Sequence, residues 1–427
     1  MLLSDPRSCL WTDTAPPAMP LPTLGGDVQA SVVVVGGGFT GLSTALHLAE
    51  AGVDTVLLEA EEAGFGASGR NQGQVVPSYS RHTPAMVEAE LGLERGRALN
   101  DWVEHSTGLV FDLIRRHGID CEAQQNGWLM PVHRPSRVAK VRDRAEQWAA
   151  RGAPARYLDR AEAAELIGSD HYHGAWLHEK GGNINPLGYV RGLARAAVGA
   201  GARLFAHSPA TGIERRGTQW VVKTPAGSVV ADKVVLATNA YTGKLWPDLQ
   251  ASFVSTKLFQ ASTRPLGDNV AKTVLPRMHG LSDSRSVLWA FRKDRFGRLV
   301  CGGAPVVTLG ARAQVRRAAL EKVRTVFPQV GEIELDHIWE GNVAMTVDRL
   351  PKLHELAEGV YAGVGYSGRG IVMATGMGQV LAARAQGVAA ADLPVPTTPL
   401  KPLPMPELVR PLTRAMILLY HWRDRRD

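Results

Sequence analysis

The sequence predicts an α/β fold that opens on a Rossmann-like dinucleotide-binding unit, and three observations predict it. Val32-Val33-Val34-Val35 is an unbroken β-branched run, as in a strand buried on both faces of a parallel sheet. Gly36-Gly37-Gly38-Phe39-Thr40-Gly41 follows at once, and Leu42, Ala45, Leu46 and Ala49 then repeat at helical spacing until Gly52 stops the helix. Thr55, Val56, Leu57 and Leu58 make a second apolar strand ending on Glu59, eighteen positions after Gly41.

Each part of this unit has a physical role. Gly36 permits the tight turn, Gly38 lets backbone approach a pyrophosphate, and Gly41 lets helix and sheet pack closely. Phe39 and Thr40 open the helix, whose free N–H groups and positive end favour negative charge. Glu59 is placed to accept hydrogen bonds from an adenosine ribose, and an acid there disfavours a 2′-phosphate and hence NADP. The turn alone does not separate FAD from NAD.

Composition bounds the rest. A length of 427 residues predicts two interlocked domains, and 45% hydrophobic with 21% charged residues excludes a disordered or fibrous chain. The net charge of +7 allows anionic ligands, but no contiguous basic and aromatic track accompanies it, so nucleic acid is not expected as a partner. Cys9, Cys121 and Cys301 are far apart and lack metal spacing, which predicts no metal site and a cytoplasmic location. Residues 1–30 are proline-rich, lack a signal-peptide pattern and read as an extended N-terminal arm. Glycines interrupt the apolar stretch 31–49, and 416–420 is too short to cross a bilayer, so no transmembrane segment is expected.

Further along, 86–117 and 137–151 have helical periodicity, the latter as a charged amphipathic helix, with a strand across 122–132. Residues 203–237 break at glycines into a meander of short strands, and 253–303 is strand-rich. A helix across 313–327 follows, then strands at 332–345 and 360–364, and a last helix after Gly370.

Further segments carry a resemblance. They are Gly66-Ala67-Ser68-Gly69-Arg70-Asn71-Gln72-Gly73-Gln74, Ala237-Thr238-Asn239-Ala240, and Gly365-Tyr366-Ser367-Gly368-Arg369-Gly370, with Leu10-Trp11 and Ala15-Pro16-Pro17 in the arm. Together with the glycine turn they resemble the FAD-dependent D-amino-acid oxidase (DAO) superfamily, in the branch of glycine oxidases, sarcosine oxidases and γ-glutamylputrescine oxidoreductases. The resemblance implies a discontinuous, glutathione-reductase-type FAD-binding domain (31–100, 152–250 and 331–395). It also implies a second α+β substrate domain on an antiparallel sheet (101–151 and 251–330) and a tail at 396–427. It places Ala60, Ala210, Thr238, Asn239, Gly341 and Ile371 beside a noncovalent FAD, with Gly66, Ala67, Ser68, Arg70, Asn71, Gly73 and Gln74 of the second segment and Gly368-Arg369-Gly370.

The implied reaction is hydride transfer from the C–H next to an amine nitrogen to flavin N5, giving an imine that hydrolyses, with oxygen or another acceptor reoxidising the flavin. A γ-glutamylputrescine-like amine is favoured. No catalytic base is assigned; Trp289, Phe291, Arg292, Trp339 and Tyr366 are the pocket candidates, with Arg349 as a second possible carboxylate partner. The chain departs from its relatives in having Val343 where glycine oxidases place a carboxylate-binding arginine and Val372 where sarcosine oxidases have a lysine. No cysteine lies beside Asn342 to link a flavin, and no oxygen-activating lysine stands in 298–303. Two other readings are a peripheral-membrane amino-acid dehydrogenase docked through 412–422 and a flavin-dependent RNA-modifying enzyme of the same fold.

Overall fold

The computed structural model describes residues 9–303, 311–404, 415–416, 418–420 and 422–424. The predicted strand, glycine turn, helix and strand occur as Val28–Val35, residues 36–38, Phe39–Glu50 and Thr55–Leu58. Val28–Val35 pairs in parallel with Thr55–Leu58 on one side and Gly227–Leu236 on the other. Arg203–Phe205 and Val360–Val364 extend this parallel core, and Lys352–Ala357 adds an antiparallel edge. Alternation along the central strand feeds two cores: Val32 and Val34 pack with the helices, Val33 and Val35 with Trp220 and Leu249.

A second sheet of eight strands runs in the order Leu335–Met345, Val254–Pro265, Arg298–Gly303, Ala290–Lys293, Gly280–Ser282, Trp128–Pro131, Ala175–His178, Ala155–Leu158. All pairs are antiparallel except Gly280–Ser282 with Trp128–Pro131.

This order revises the expected division of the chain. Strands at 155–158, 175–178 and 335–345, assigned by sequence to the cofactor domain, belong to the second sheet. The Leu93–Arg116 helix, whose residues from 101 on were assigned to the substrate domain, packs on the Gly370–Ala385 helix of the first. Periodicity identifies a strand but not its partner, which non-local burial selects. The helical stretch 86–117 is divided by Gly92, at φ +82°, into Pro84–Leu91 and Leu93–Arg116.

The N-terminal arm, expected to be extended, contains the short helix Leu10–Thr14; residues 1–8 lie outside the described part. Leu10 and Trp11 are fully buried, and the Trp11 indole meets Trp339 edge-on at 6.1 Å. Trp11 Nε1 donates to the Asn71 carbonyl at 2.8 Å, so the arm braces the segment after the second Rossmann strand. Trp11→Ala is expected to lower stability by about 3–5 kcal/mol, the cost of emptying a buried indole site. Urea denaturation measures this, and a loss below about 1 kcal/mol would show the arm to be only laid over the surface.

Candidate functional site

The glycine turn is built by close approach. Gly36 adopts φ +110° and donates its N–H to the Leu58 carbonyl at 2.8 Å. A Cβ on Gly41 would sit 1.9 Å from the Gly36 oxygen, so only glycine lets the helix start against the turn. Gly37 N–H donates to Glu59 Oε2 at 2.5 Å, and Glu61 N–H to Glu59 Oε1 at 2.9 Å. Burial pushes the Glu59 carboxyl pKa up, against these backbone bonds. Each oxygen retains a lone pair for a hydroxyl donor.

Two further segments attach to this turn. Phe39 N–H donates to Ser68 Oγ at 3.0 Å, seating the Ala67–Gly69 turn against the helix N-terminus. Thr40 Oγ1 and the Tyr366 hydroxyl lie 2.8 Å apart, bringing in the 365–370 segment and the start of the Gly370–Ala385 helix. Asn239, which accepts from Gly365 N–H at 3.3 Å, and Ser367 have φ of 44° and 49°. Both line the cavity described next, where strained backbone is commonly retained.

These pieces surround one cavity of about 990 Å³. That volume stands at the upper end of the roughly 300–1,000 Å³ of ligand and cofactor pockets, as a dinucleotide requires. Of the residues that the sequence puts beside the cofactor, all line it except Gly41 and Gly73; Gly69, in the same loop as Gly73, does not line it either. Gly41 acts in packing, and Gly73, at φ +79°, would carry a Cβ 2.1 Å from the Ile184 oxygen. Turn backbone, a half-buried acid at the end of the second strand and a second helix N-terminus therefore fit a dinucleotide.

The side chains of Arg70 and Asn71 turn back on their own loop. Arg70 Nε donates to the Phe65 carbonyl at 2.7 Å, and Asn71 Nδ2 to the Ser68 carbonyl at 2.7 Å. Gln72 and Gln74 tie the loop to the second sheet: Gln72 Nε2 donates to the Ala290 carbonyl at 3.0 Å, and Gln74 Nε2 to those of Leu281 and Phe291 at 2.9 and 3.1 Å. Gln74 Oε1 accepts from Trp128 Nε1 at 2.9 Å and Ser282 Oγ at 3.0 Å.

Of the five pocket candidates, only Tyr366 lines the cavity. Along the Ala290–Lys293 strand, Ala290 faces the cavity while Phe291 points into the second core against Phe327. Trp289 lies under the Arg285 guanidinium at 3.9 Å. Trp339 is fully buried and donates Nε1–H to the Arg70 carbonyl at 2.8 Å. Arg292 is buried over the Trp11 ring and donates to the Gln72, Gly73 and Ile184 carbonyls. These four side chains brace the loop and core.

Cations that sequence reasoning did not assign take their place. Arg81, Arg137, Lys140 and Arg144 line the cavity, together with Arg349, Met416 and Tyr420. The signal was present: 137, 140 and 144 recur at three and four residues, one face of the Val138–Ala149 helix and its N-cap. Part of the 412–422 segment lies outside the described residues; of the rest, Leu418, Leu419 and Trp422 are exposed. Among the described residues no metal-binding cluster occurs and no helix is long and apolar enough to cross a membrane.

Comparison with known proteins gives a consistent result. The family model DAO, FAD dependent oxidoreductase, matches residues 31–384. Gamma-glutamylputrescine oxidoreductase of Escherichia coli (strain K12) is 33% identical over 428 residues, covering 99% of each chain. Probable oxidoreductase OrdL of Rhizobium meliloti (strain 1021) is 33% identical over 380 residues, 88% of each. The crystal structure of glycine oxidase from Geobacillus kaustophilus is similar in fold, with a TM-score of 0.71 at 20% identity over 85% of this chain and 96% of that one.

The loop latch is testable on its own. Gln74→Leu strands the buried Trp128 and Ser282 donors, each at about 1–3 kcal/mol, so a loss of at least about 2 kcal/mol is expected in chemical denaturation. A loss under about 0.5 kcal/mol would mean that the amide does not hold the loop.

Proposed function

The chain belongs to the DAO family of FAD-dependent oxidoreductases, and from that membership we propose that it oxidises the C–N bond of an amine or amino-acid derivative, with γ-glutamyl amines of the putrescine type as the favoured class. The observation that carries this is the convergence of the glycine turn, the 66–74 loop and the Gly370–Ala385 helix on one cavity, fixed by the Phe39–Ser68 and Thr40–Tyr366 bonds.

When bound, FAD supplies the two-electron acceptor that takes hydride at N5 from the carbon next to nitrogen, leaving an imine for water to hydrolyse. The chain's own residues bind and orient. The backbone of Gly38, Ala67 and Ser68 would surround the place for the diphosphate, and Glu59 would receive ribose hydroxyls. The N-terminus of Gly370–Ala385, which opens on the cavity, would offer its positive end to negative charge on a bound flavin ring. Burial raises the Tyr366 pKa, so its phenol stays protonated and orients Thr40. The amine must be neutral to release hydride, and the neighbouring cations disfavour its ammonium form without a dedicated base. No cysteine lines the cavity, which supports noncovalent binding, and three buried free thiols support a cytoplasmic location.

The purified protein is expected to be yellow and to release all of its flavin as FAD on acid precipitation. Anaerobic mixing with γ-glutamyl amines, N-methyl amino acids and simple amines should bleach the flavin for at least one class. Readmitting air or an artificial acceptor then distinguishes oxygen from another oxidant. A colourless protein that responds only to NAD would sink the reading. Glu59→Ala is expected to weaken FAD binding about tenfold, near 1.4 kcal/mol; undiminished occupancy removes the ribose role.

A further inference from the structure

Eight cations line the cavity; Arg70 is tied to the Phe65 carbonyl and Arg285 to an ion pair with Asp283. The other six are Arg81, Arg137, Lys140, Arg144, Arg349 and Arg369. Arg144 donates Nη2–H to the His82 carbonyl at 2.7 Å but has no carboxylate partner among the described residues. None of the six forms an ion pair among the described residues. The only other carboxylates lining the cavity are Glu59, held by Gly37 and Glu61 N–H, and Glu61 beside it. Asp143, next to Arg144 in sequence, accepts instead from Gln147 at 2.8 Å.

The six form a graded wall. Arg144 and Arg369 are buried at 6% exposure each, Arg137 and Arg349 are half-buried, and Arg81 and Lys140 are exposed at the mouth. Nε of Arg144, Nε of Arg369 and Nη1 of Arg349 are buried donors with no partner. They adjoin one another electrically: burial, then Arg144, Arg137 and Arg81, lower the Lys140 pKa, and burial, then Arg144, bring Arg369 down to about 9. Unpaired buried charge is costly, and a guanidinium fork that lacks a partner is complementary to a carboxylate. One carboxylate engages about two such groups, which leaves most of a six-cation wall unneutralised.

We propose that this wall receives an acidic head group, so that the substrate is an amine bearing two carboxylates remote from the oxidised C–N bond. The inference rests on the amine-oxidation reading but departs from the γ-glutamyl amines favoured above, which carry a single carboxylate: an unsubstituted diamine, cationic at both ends, is repelled by the same wall that holds a diacid.

The test uses the full-length holoenzyme and calorimetry with probes that cannot be oxidised. Glutarate is expected to bind at least tenfold more tightly than butyrate, with affinity falling as salt rises, and butylammonium is expected not to bind. Lys140→Gln and Arg349→Gln should each weaken glutarate binding about tenfold with FAD content unchanged. Under anaerobic conditions, KM for flavin bleaching should fall as an amine gains one and then two remote carboxylates. Equal binding of glutarate and butylammonium overturns the inference. So does a loss of FAD in both variants with unchanged acid selectivity, which would assign the cations to the cofactor. Bleaching that ignores carboxylate number overturns the inference alone; glutarate binding without bleaching by any amine overturns the oxidation reading and leaves an acid-binding site.

Discussion

The site depends on how the backbone of residues 70–74 is held. Indole N–H groups of Trp339 and Trp11 take the carbonyls of Arg70 and Asn71, and the Arg292 guanidinium takes those of Gln72 and Gly73. The amides of Gln72 and Gln74 then reach in the other direction to carbonyls of the second sheet. These donors and acceptors are buried, so leaving any one unmade is expensive, and the set as a whole specifies a single loop position. That position fixes Ser68 under Phe39 N–H, and thereby fixes the second anion-facing turn relative to the first. It also sets the Rossmann unit against the second sheet, because Ser68 holds the first while Gln72 and Gln74 hold the second.

The loop explains why the large buried side chains are where they are. A desolvated aromatic box is the natural expectation for a site that must deprotonate an amine, yet Trp289, Phe291 and Trp339 spend their faces on packing and Trp339 its N–H on the loop. On the function proposed above, Coulomb repulsion from the cavity's cations would take the place of apolar desolvation. A unit positive charge about 6 Å away, at an effective dielectric of about 20, disfavours an ammonium by roughly 2–3 kcal/mol, or about two pKa units. Several such charges suffice to bring an alkylamine from near 10 toward neutrality.

Local pattern made much of this legible. The Gly36–Gly41 turn, Glu59, the 66–74 loop and the helix after Gly370 could be found because each is a contiguous segment with its own backbone chemistry. What was not legible was non-local. Nothing in residues 155–158 or 335–345 announces that their strands join the second sheet rather than the first. Nor does a run such as Ala290-Phe291-Arg292 say which side of the alternation meets the cavity: Ala290 does, and its two conspicuous neighbours do not. The cationic face of 137–144 was visible as spacing, but a charged helix face normally meets water, and only tertiary placement turns it toward a cavity.

The gradient of burial along that face has a consequence for how a substrate is ordered. Arg81 and Lys140 at the mouth act through solvent, where attraction is long in range and shallow, and raise the local concentration of acids. Arg144 and Arg369 act where water is excluded, so an anion reaching them gains more per contact than it loses at the rim. An acid is therefore drawn inward by successive, stronger partners, while its amine end is pushed away from every one of them. The direction in which a molecule of mixed charge lies is set by this opposition, without any contact to the amine itself. Arg369, as the N-cap of Gly370–Ala385, adds its charge to the positive end of that helix, so the deepest of these partners is the one least able to tolerate an ammonium beside it.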